Sequence, residues 1–197
     1  MPAIGSSLRQ LMREHHIGNE DEIIKTIIPL GYYGAARHLV SVGMPMTEEA
    51  IVEYLKGHMG GEYRHKIPAK SNVISVLQKL QERGLTLHIL TACPHAMMDP
   101  CLNRLGIYEL FGNVWSTDDL DMTKADPEIY RVVANKIGVP VEELMFLDDN
   151  FDADKTAKKA GVRVCGVFDE ASRAFEEDIK LVADHYIYDF SELLDLV

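Results

Sequence analysis

Apolar residues recur at helical spacing through the first third of the chain. Leu8, Leu11 and Met12 define one stripe and Ile23, Ile24, Ile27 and Ile28 a second. Ile51, Val52 and Leu55 form a third, opened after Pro45 by Thr47, a residue suited to capping a helix N-terminus. Gly57, Gly60 and Gly61 are expected to break that third pattern. Almost no run of strand type falls among these helices, so an all-helical subdomain is predicted over residues 1–66.

From Pro68 the texture changes to alternating helix and strand. Ser71 is expected to open a helix carrying Val73, Val76, Leu77 and Leu80, with Gly84 ending it. A buried-type strand is predicted over 85–91, then a helix stopping near Gly106 and a short strand over 113–117. Asp126-Pro127-Glu128 is a strong helix start, with Asp as cap, Pro at the first helical position and Glu in the first turn. That helix ends at Gly138 and leads to a strand over 144–147. A helix ending at Gly161, a strand over 162–167, a helix near 173–182 and a strand over 185–188 complete the series. Such alternation implies parallel strands joined by right-handed helical crossovers, an α/β core over 67–197 with its boundary near 63–70. Ligands in such sheets gather at the carboxyl ends of the strands. The residues to examine are therefore Thr91, the segment after Thr117, and Asp148-Asp149.

Composition narrows the possible partners. The 197 residues are 47% hydrophobic and 26% charged, with a formal net charge of −11, which suits a soluble globular protein and argues against nucleic acid or an anionic membrane surface. No apolar run approaches a membrane span, and Met1 to Ser6 lack the pattern of a signal peptide. Three cysteines without metal-ligand spacing (Cys93, Cys101, Cys165) read as reduced thiols of a cytoplasmic protein.

The strand ends carry the chemistry. Thr91, followed by Ala92-Cys93-Pro94, offers a hydroxyl and successive backbone N–H groups, a cradle for phosphate, although threonine is also common at strand ends. Lys124, just ahead of a helix start, is placed to neutralise a phosphoryl oxygen, where a solvated surface lysine is the plain alternative. Asp148 and Asp149 set two like charges side by side, suited to a hard cation such as Mg²⁺. Helix capping would account for one of them and leave the other without a structural reason. His95 and Cys93 lie near the Thr91 turn, His88 reads as a satisfied core residue, and Asp118, Asp119 and Asp121 read as a solvated acidic loop.

Together these features resemble the haloacid dehalogenase-like hydrolase superfamily, in its phosphoglycolate phosphatase-like form with a helical cap. Leu87-His88-Ile89-Leu90-Thr91 is similar to that family's second motif, Lys124-Ala125-Asp126-Pro127-Glu128-Ile129-Tyr130 to its third, and Phe146-Leu147-Asp148-Asp149-Asn150 to the double-aspartate form of its fourth. The resemblance implies a three-layer Rossmann-like sandwich with a parallel sheet. It also implies a Mg²⁺-dependent phosphatase that acts on a small phosphorylated substrate through an aspartyl-phosphate. Thr91, Ala92 and Lys124 would hold the phosphoryl oxygens, and Asp148 and Asp149 the metal. Residues 30–37, including Arg37, look like the cap segment that faces the site in relatives. Oligomeric state is left open.

The departures are as informative. The family's first motif, an apolar strand ending in two aspartates that supply the nucleophile and the acid/base, is absent upstream of Thr91. The family's sheet places that strand centrally, between those ending in Thr91 and Asp148. The chain as written is therefore expected to be truncated, or to fold with altered or borrowed pairing. Ala92 and Ala125 stand where Asn and Pro are frequent. Ala153 occupies the place of a further polar or acidic residue, for which Asp152 or Asp154 would have to serve. The alternative reading is a catalytically dead phosphate-binding or regulatory module of the same fold.

Overall fold

The structure, a computed structural model, describes residues 2–27 and 30–197, with side chains at all of these except 2–4, 6 and 31. In chain order its helices are α1 (Pro2–Glu14), α2 (Glu20–Ile27), α3 (Gly31–Ser41), α4 (Glu48–His65), α5 (Val73–Glu82), α6 (His95–Arg104), α7 (Glu128–Ile137), α8 (Phe151–Ala160) and α9 (Glu176–Val182). The strands are β1 (His88–Thr91), β2 (Asn113–Ser116), β3 (Met145–Asp148), β4 (Arg163–Val167) and β5 (His185–Ile187). The chain divides into two compact units, one comprising Met1–Ile67 with Ala96–Arg104 and the other Pro68–His95 with Leu105–Val197.

The first unit is helical. Leu8, Leu11, Met12, Ile24, Ile27, Leu39, Ile51, Leu55 and Met59 form its core, which is the burial that the helical spacing of those residues demands. Ile28 of the second stripe lies outside the described residues. Thr47 caps α4, its hydroxyl accepting from the Ala50 amide at 3.2 Å. Contrary to expectation, α4 runs through Gly57, Gly60 and Gly61 to His65. Each glycine costs the helix about 1 kcal/mol relative to alanine, but the apolar face continues to Met59, which is buried, and the α6 residue Met97 packs over Gly60. The end of α4 is closed by Arg104, whose guanidinium donates to the carbonyls of Tyr63, Arg64 and Ile67 at 3.1, 2.9 and 2.5 Å. A cation on carbonyls near a helix C-terminus is favourable electrostatically.

The second unit is α/β, and all its strand pairs are parallel. β1 pairs with β2, and β3, β4 and β5 pair in that order as a separate ladder. Alternation along β3 and β4 explains their two apolar faces. Met145, Leu147, Cys165 and Val167 pack with Val76, Leu80, Ile187 and Leu193, whereas Leu144, Phe146 and Val164 pack with Ile129, Tyr130, Ala157 and Ala160. β1 shares both clusters, through Leu87 on the first and Leu90 on the second. Both ladders thus belong to one layer covered by helices on either side, as parallel sheets require.

Among the described residues β1 and β3 each have a single strand partner, and Pro2–Glu14, at the start of the chain, is helix. Their burial follows from that. β4, paired on both edges, is buried from Val164 to Val167, while every residue of β1 and β3 is only half-buried. The buried-type strand expected over 85–91 is thus shorter, beginning at His88, and more exposed than its sequence implied. Two other expectations shift. Asn72, in the left-handed region at φ 63°, precedes α5, so Ser71 does not open that helix. The first three residues of the helix expected near 173–182 belong instead to a 3₁₀ segment, Glu170–Phe175, whose start is fixed by the Asp169 carboxylate accepting from Ala171.

Gly166 shows how closely α9 and β5 approach β4. A Cβ there would collide with the side chains of Ile179 and Tyr186. Gly166→Ala is expected to destabilise the protein by about 1–3 kcal/mol through overpacking, measured as a lower urea midpoint at unchanged m-value.

Candidate functional site

The parallel register places Thr91 opposite Ser116 at the carboxyl ends of β1 and β2. The Thr91 hydroxyl accepts from the Cys93 amide at 3.1 Å, which curls the chain over Ala92 toward α6. After β2, the Asp119 carboxylate accepts from the Ser116 amide at 2.8 Å while the Ser116 hydroxyl accepts from Asp118, so the turn caps itself. Asp119 also meets His95 Nε2 at 2.8 Å, linking the turns that follow β1 and β2. His95 and the Ser116 amide hold the Asp119 carboxyl below its ordinary range. Asp119, exposed as the sequence implied, is therefore also a structural member of the turn.

The double aspartate divides its labour. Asp148, at the end of β3, pairs with Lys124 through Oδ2, and its Oδ1 accepts from the amides of Asp149 and Asn150 at 2.8 and 3.0 Å. Asn150, whose Oδ1 accepts from Ala153 at 3.0 Å, caps α8. Neither aspartate is needed as the helix cap, which removes the plain explanation for Asp149. Its carboxyl is pushed up by burial first and then by Asp148 and Asp169, with Lys70 opposing. Lys70 is itself held by the Asp169 carboxylate at 2.7 Å and the Phe168 carbonyl at 3.0 Å.

Asp154 is the most unusual group nearby. It is fully buried, and neither carboxylate oxygen has a hydrogen-bond partner. Burial, then the charges of Asp148 and Asp149 against an opposing Lys124, push its carboxyl up to about 8. Asp152, by contrast, is exposed, and Ala153 is buried. Lys70 and Asp169 escaped the sequence reading. Asp169 lies just past β4 much as Asp149 lies just past β3, so the strand-end rule would have found it. Lys70 carried no signal, since only the fold brings it across to Asp169.

Other candidates lie elsewhere or have other partners. Arg37 belongs to the helical unit and approaches Glu48 at 3.8 Å. His88 is only half satisfied: Nδ1 meets Asn113 at 3.1 Å, whereas Nε2 is buried without a partner, and burial lowers its basicity. The three cysteines form no disulfide. Among the described residues no three His, Cys, Asp or Glu side chains converge to enclose a metal, and no helix is long and apolar enough to cross a membrane.

Because the folded state holds a proton on Asp154 that the unfolded state releases near pH 4, stability should fall as pH rises through the window from about 4 to 8. The steepest contribution is about 1.4 kcal/mol per pH unit. Asp154→Asn removes that titration, so its unfolding free energy relative to the parent is expected to increase from pH 5 to pH 8 in metal-free buffer. A pH-independent difference between the two proteins would contradict this.

The family model for haloacid dehalogenase-like hydrolases matches residues 2–167. A phosphoglycolate phosphatase of Salmonella paratyphi A is 32% identical over 124 residues, 62% of this chain and 48% of that protein. The chain thus spans about half the length of the Salmonella relatives it matches. Pyrophosphatase PpaX of Halalkalibacterium halodurans is 25% identical over 178 residues, 85% of this chain and 82% of that protein. Among solved structures, a hydrolase of the same family from Deinococcus radiodurans with bound phosphate and sodium superposes with a TM-score of 0.77 at 17% identity, covering 97% of this chain and 86% of that one. L-2-haloacid dehalogenase from Xanthobacter autotrophicus gives 0.70 at 18% identity, covering 98% and 92%. With a family match over residues 2–167, the chain belongs to the haloacid dehalogenase-like hydrolases.

Proposed function

We propose that this chain is the cap and core of a Mg²⁺-dependent cytoplasmic phosphatase acting on small phosphorylated metabolites. The observation that carries the reading is the Lys124–Asp148 pair with Asp149 beside it, one strand-end set in the same unit as the Thr91 turn. In this reading Thr91, the Ala92 amide and Lys124 hold the phosphoryl oxygens, and Asp149 with Asp148 holds the cation. Residues 1–66 form the cap that selects the substrate, and residues 67–197 the core. The relatives named for phosphoglycolate, pyrophosphate and glyceraldehyde 3-phosphate support that substrate class.

The residues present fit a divalent cation. Asp148, Asp149, Asp154 and Asp169 crowd against Lys124 and Lys70, and the raised Asp149 and orphaned Asp154 record an excess of negative charge. Mg²⁺ commonly takes only one or two protein carboxylates, the rest of its shell being water and substrate phosphate. When bound, it would neutralise charge on the phosphoryl group, and phosphoryl transfer is largely a matter of such positioning and neutralisation.

In this reading no strand of residues 1–197 supplies the paired acids of an aspartyl-phosphate route. No apolar strand before Thr91 ends in paired acids. Asp148 itself is already engaged by Lys124 and two amides. The same observation supports a second reading, a phosphate-binding or regulatory module without turnover.

Calorimetric titration of residues 1–197 with inorganic phosphate is expected to show binding that Mg²⁺ strengthens. Lys124→Met should weaken it about tenfold or more, and Asp149→Asn should abolish the Mg²⁺ effect in a folded protein. A panel of phosphate esters then separates the readings. Turnover by the protein isolated from its source but not by residues 1–197 supports the phosphatase, turnover by neither supports the binding module, and turnover by residues 1–197 alone shows that a nucleophile lies among them.

A further inference from the structure

The loop that carries Lys124 has little regular structure to hold it. It leaves the 3₁₀ turn Thr117–Leu120 through Asp121, in the left-handed region at φ 49°, and regains helix only at Glu128. Yet the Lys124 ammonium meets one particular carboxylate at the end of a different strand. Something must fix the loop relative to the turn after β3, because a long lysine side chain tethered to a loose backbone pays side-chain entropy for each contact it makes.

One buried side chain touches both segments. Tyr130, on the first turn of α7 and 2% exposed, shares its single O–H proton between two backbone carbonyls: Ala153 in α8 at 3.0 Å and Lys124 in the loop at 3.2 Å. Its ring stands edge-on to Phe146, with centroids 5.2 Å apart and planes at 77°. Phe146 is in turn the ring beneath the Lys124 ammonium, 5.6 Å from its centroid. The phenol therefore ties the backbone of the cation loop to the helix after the double aspartate, while the ring positions the aromatic face on which the cation rests.

We propose that Tyr130 is a positioning residue that sets the Lys124 ammonium against Asp148 and thereby tunes the affinity of the strand-end site for phosphate. The role is separable from packing, because a phenylalanine would fill the same volume and keep the edge-on contact with Phe146. Only the hydroxyl joins the two carbonyls. Burial and the nearby charges of Asp148 and Asp154 keep the phenol protonated well beyond its ordinary range, so it remains a donor at any pH the protein tolerates. The phosphate part of this inference rests on the function proposed above. The positioning part rests on the geometry alone.

The test is Tyr130→Phe in the full 197-residue chain, with two readouts. The first is the ¹⁵N resonance of the Lys124 ammonium, identified by its loss in Lys124→Met; a held, paired ammonium gives a resolved signal. The second is calorimetric affinity for inorganic phosphate with Mg²⁺ present. The expected result is a cooperatively folded variant in which the ammonium signal broadens and phosphate affinity falls about five- to tenfold, the effect of one hydrogen bond. A folded variant with an unchanged signal and unchanged affinity overturns the proposal. A parent that binds no phosphate overturns the phosphate reading, and the ammonium signal then decides the positioning role by itself.

Discussion

The Lys124–Asp148 contact is the constraint around which the α/β unit is organised. The two residues come from segments 24 positions apart, one on an irregular loop and one at the end of β3. Both side chains are largely removed from water, at 21% and 11% exposure. A pair in that situation is costly to break, because either partner alone would be a half-buried charge without compensation. The pair also consumes one oxygen of Asp148, and the two amides that follow consume the other. Two adjacent aspartates that look equivalent in sequence are thus unequal in the fold: Asp148 builds the turn and pairs with Lys124, whereas burial beside Asp148 and Asp169 raises the Asp149 carboxyl.

The same unit carries an imbalance in its sheet. β1 and β3 share the two apolar clusters that cover the layer, but among the described residues each is hydrogen-bonded along one edge only. An unpaired edge on a strand with two apolar faces is costly, because its backbone donors and acceptors lack partners. The half-burial of every residue in β1 and β3, against the buried run in β4, is the visible consequence. Helices on both faces nonetheless keep the two ladders in one unit. Cohesion here comes from side-chain burial against α5, α7 and α8 more than from a continuous hydrogen-bonded sheet.

Much of this was legible from residue pattern. Helix ends marked by Gly138 and Gly161 fall where left-handed φ is required, at 89° and 99°, and Thr47 caps α4 as its chemistry suggested. The pattern failed where tertiary packing outweighed local preference. α4 continues through three glycines because Met59 lies on its buried face. It failed again where a role depends on neighbours distant in sequence. Nothing local distinguishes Asp119 from Asp118 and Asp121, but only Asp119 meets both the Ser116 amide and His95. Local pattern placed Asp152 and Asp154 on equal terms as well, and only the packing of α8 on β3 and β4 buries one and exposes the other.

Asp154 brings these strands of argument together. A buried carboxyl without a partner is costly, and proteins retain such groups where a site needs them or where no better packing was found. Helix α8 is otherwise lined on its buried side by alanines, Ala153, Ala157 and Ala160, so an apolar residue at 154 would have continued a consistent face. Instead the chain keeps a proton on a carboxyl raised to about 8 beside Asp148 and Lys124. Any cation reaching Asp149 would lower the cost of ionising Asp154, and an ionised Asp154 would strengthen the hold on that cation. The two events are thermodynamically linked and must favour one another equally.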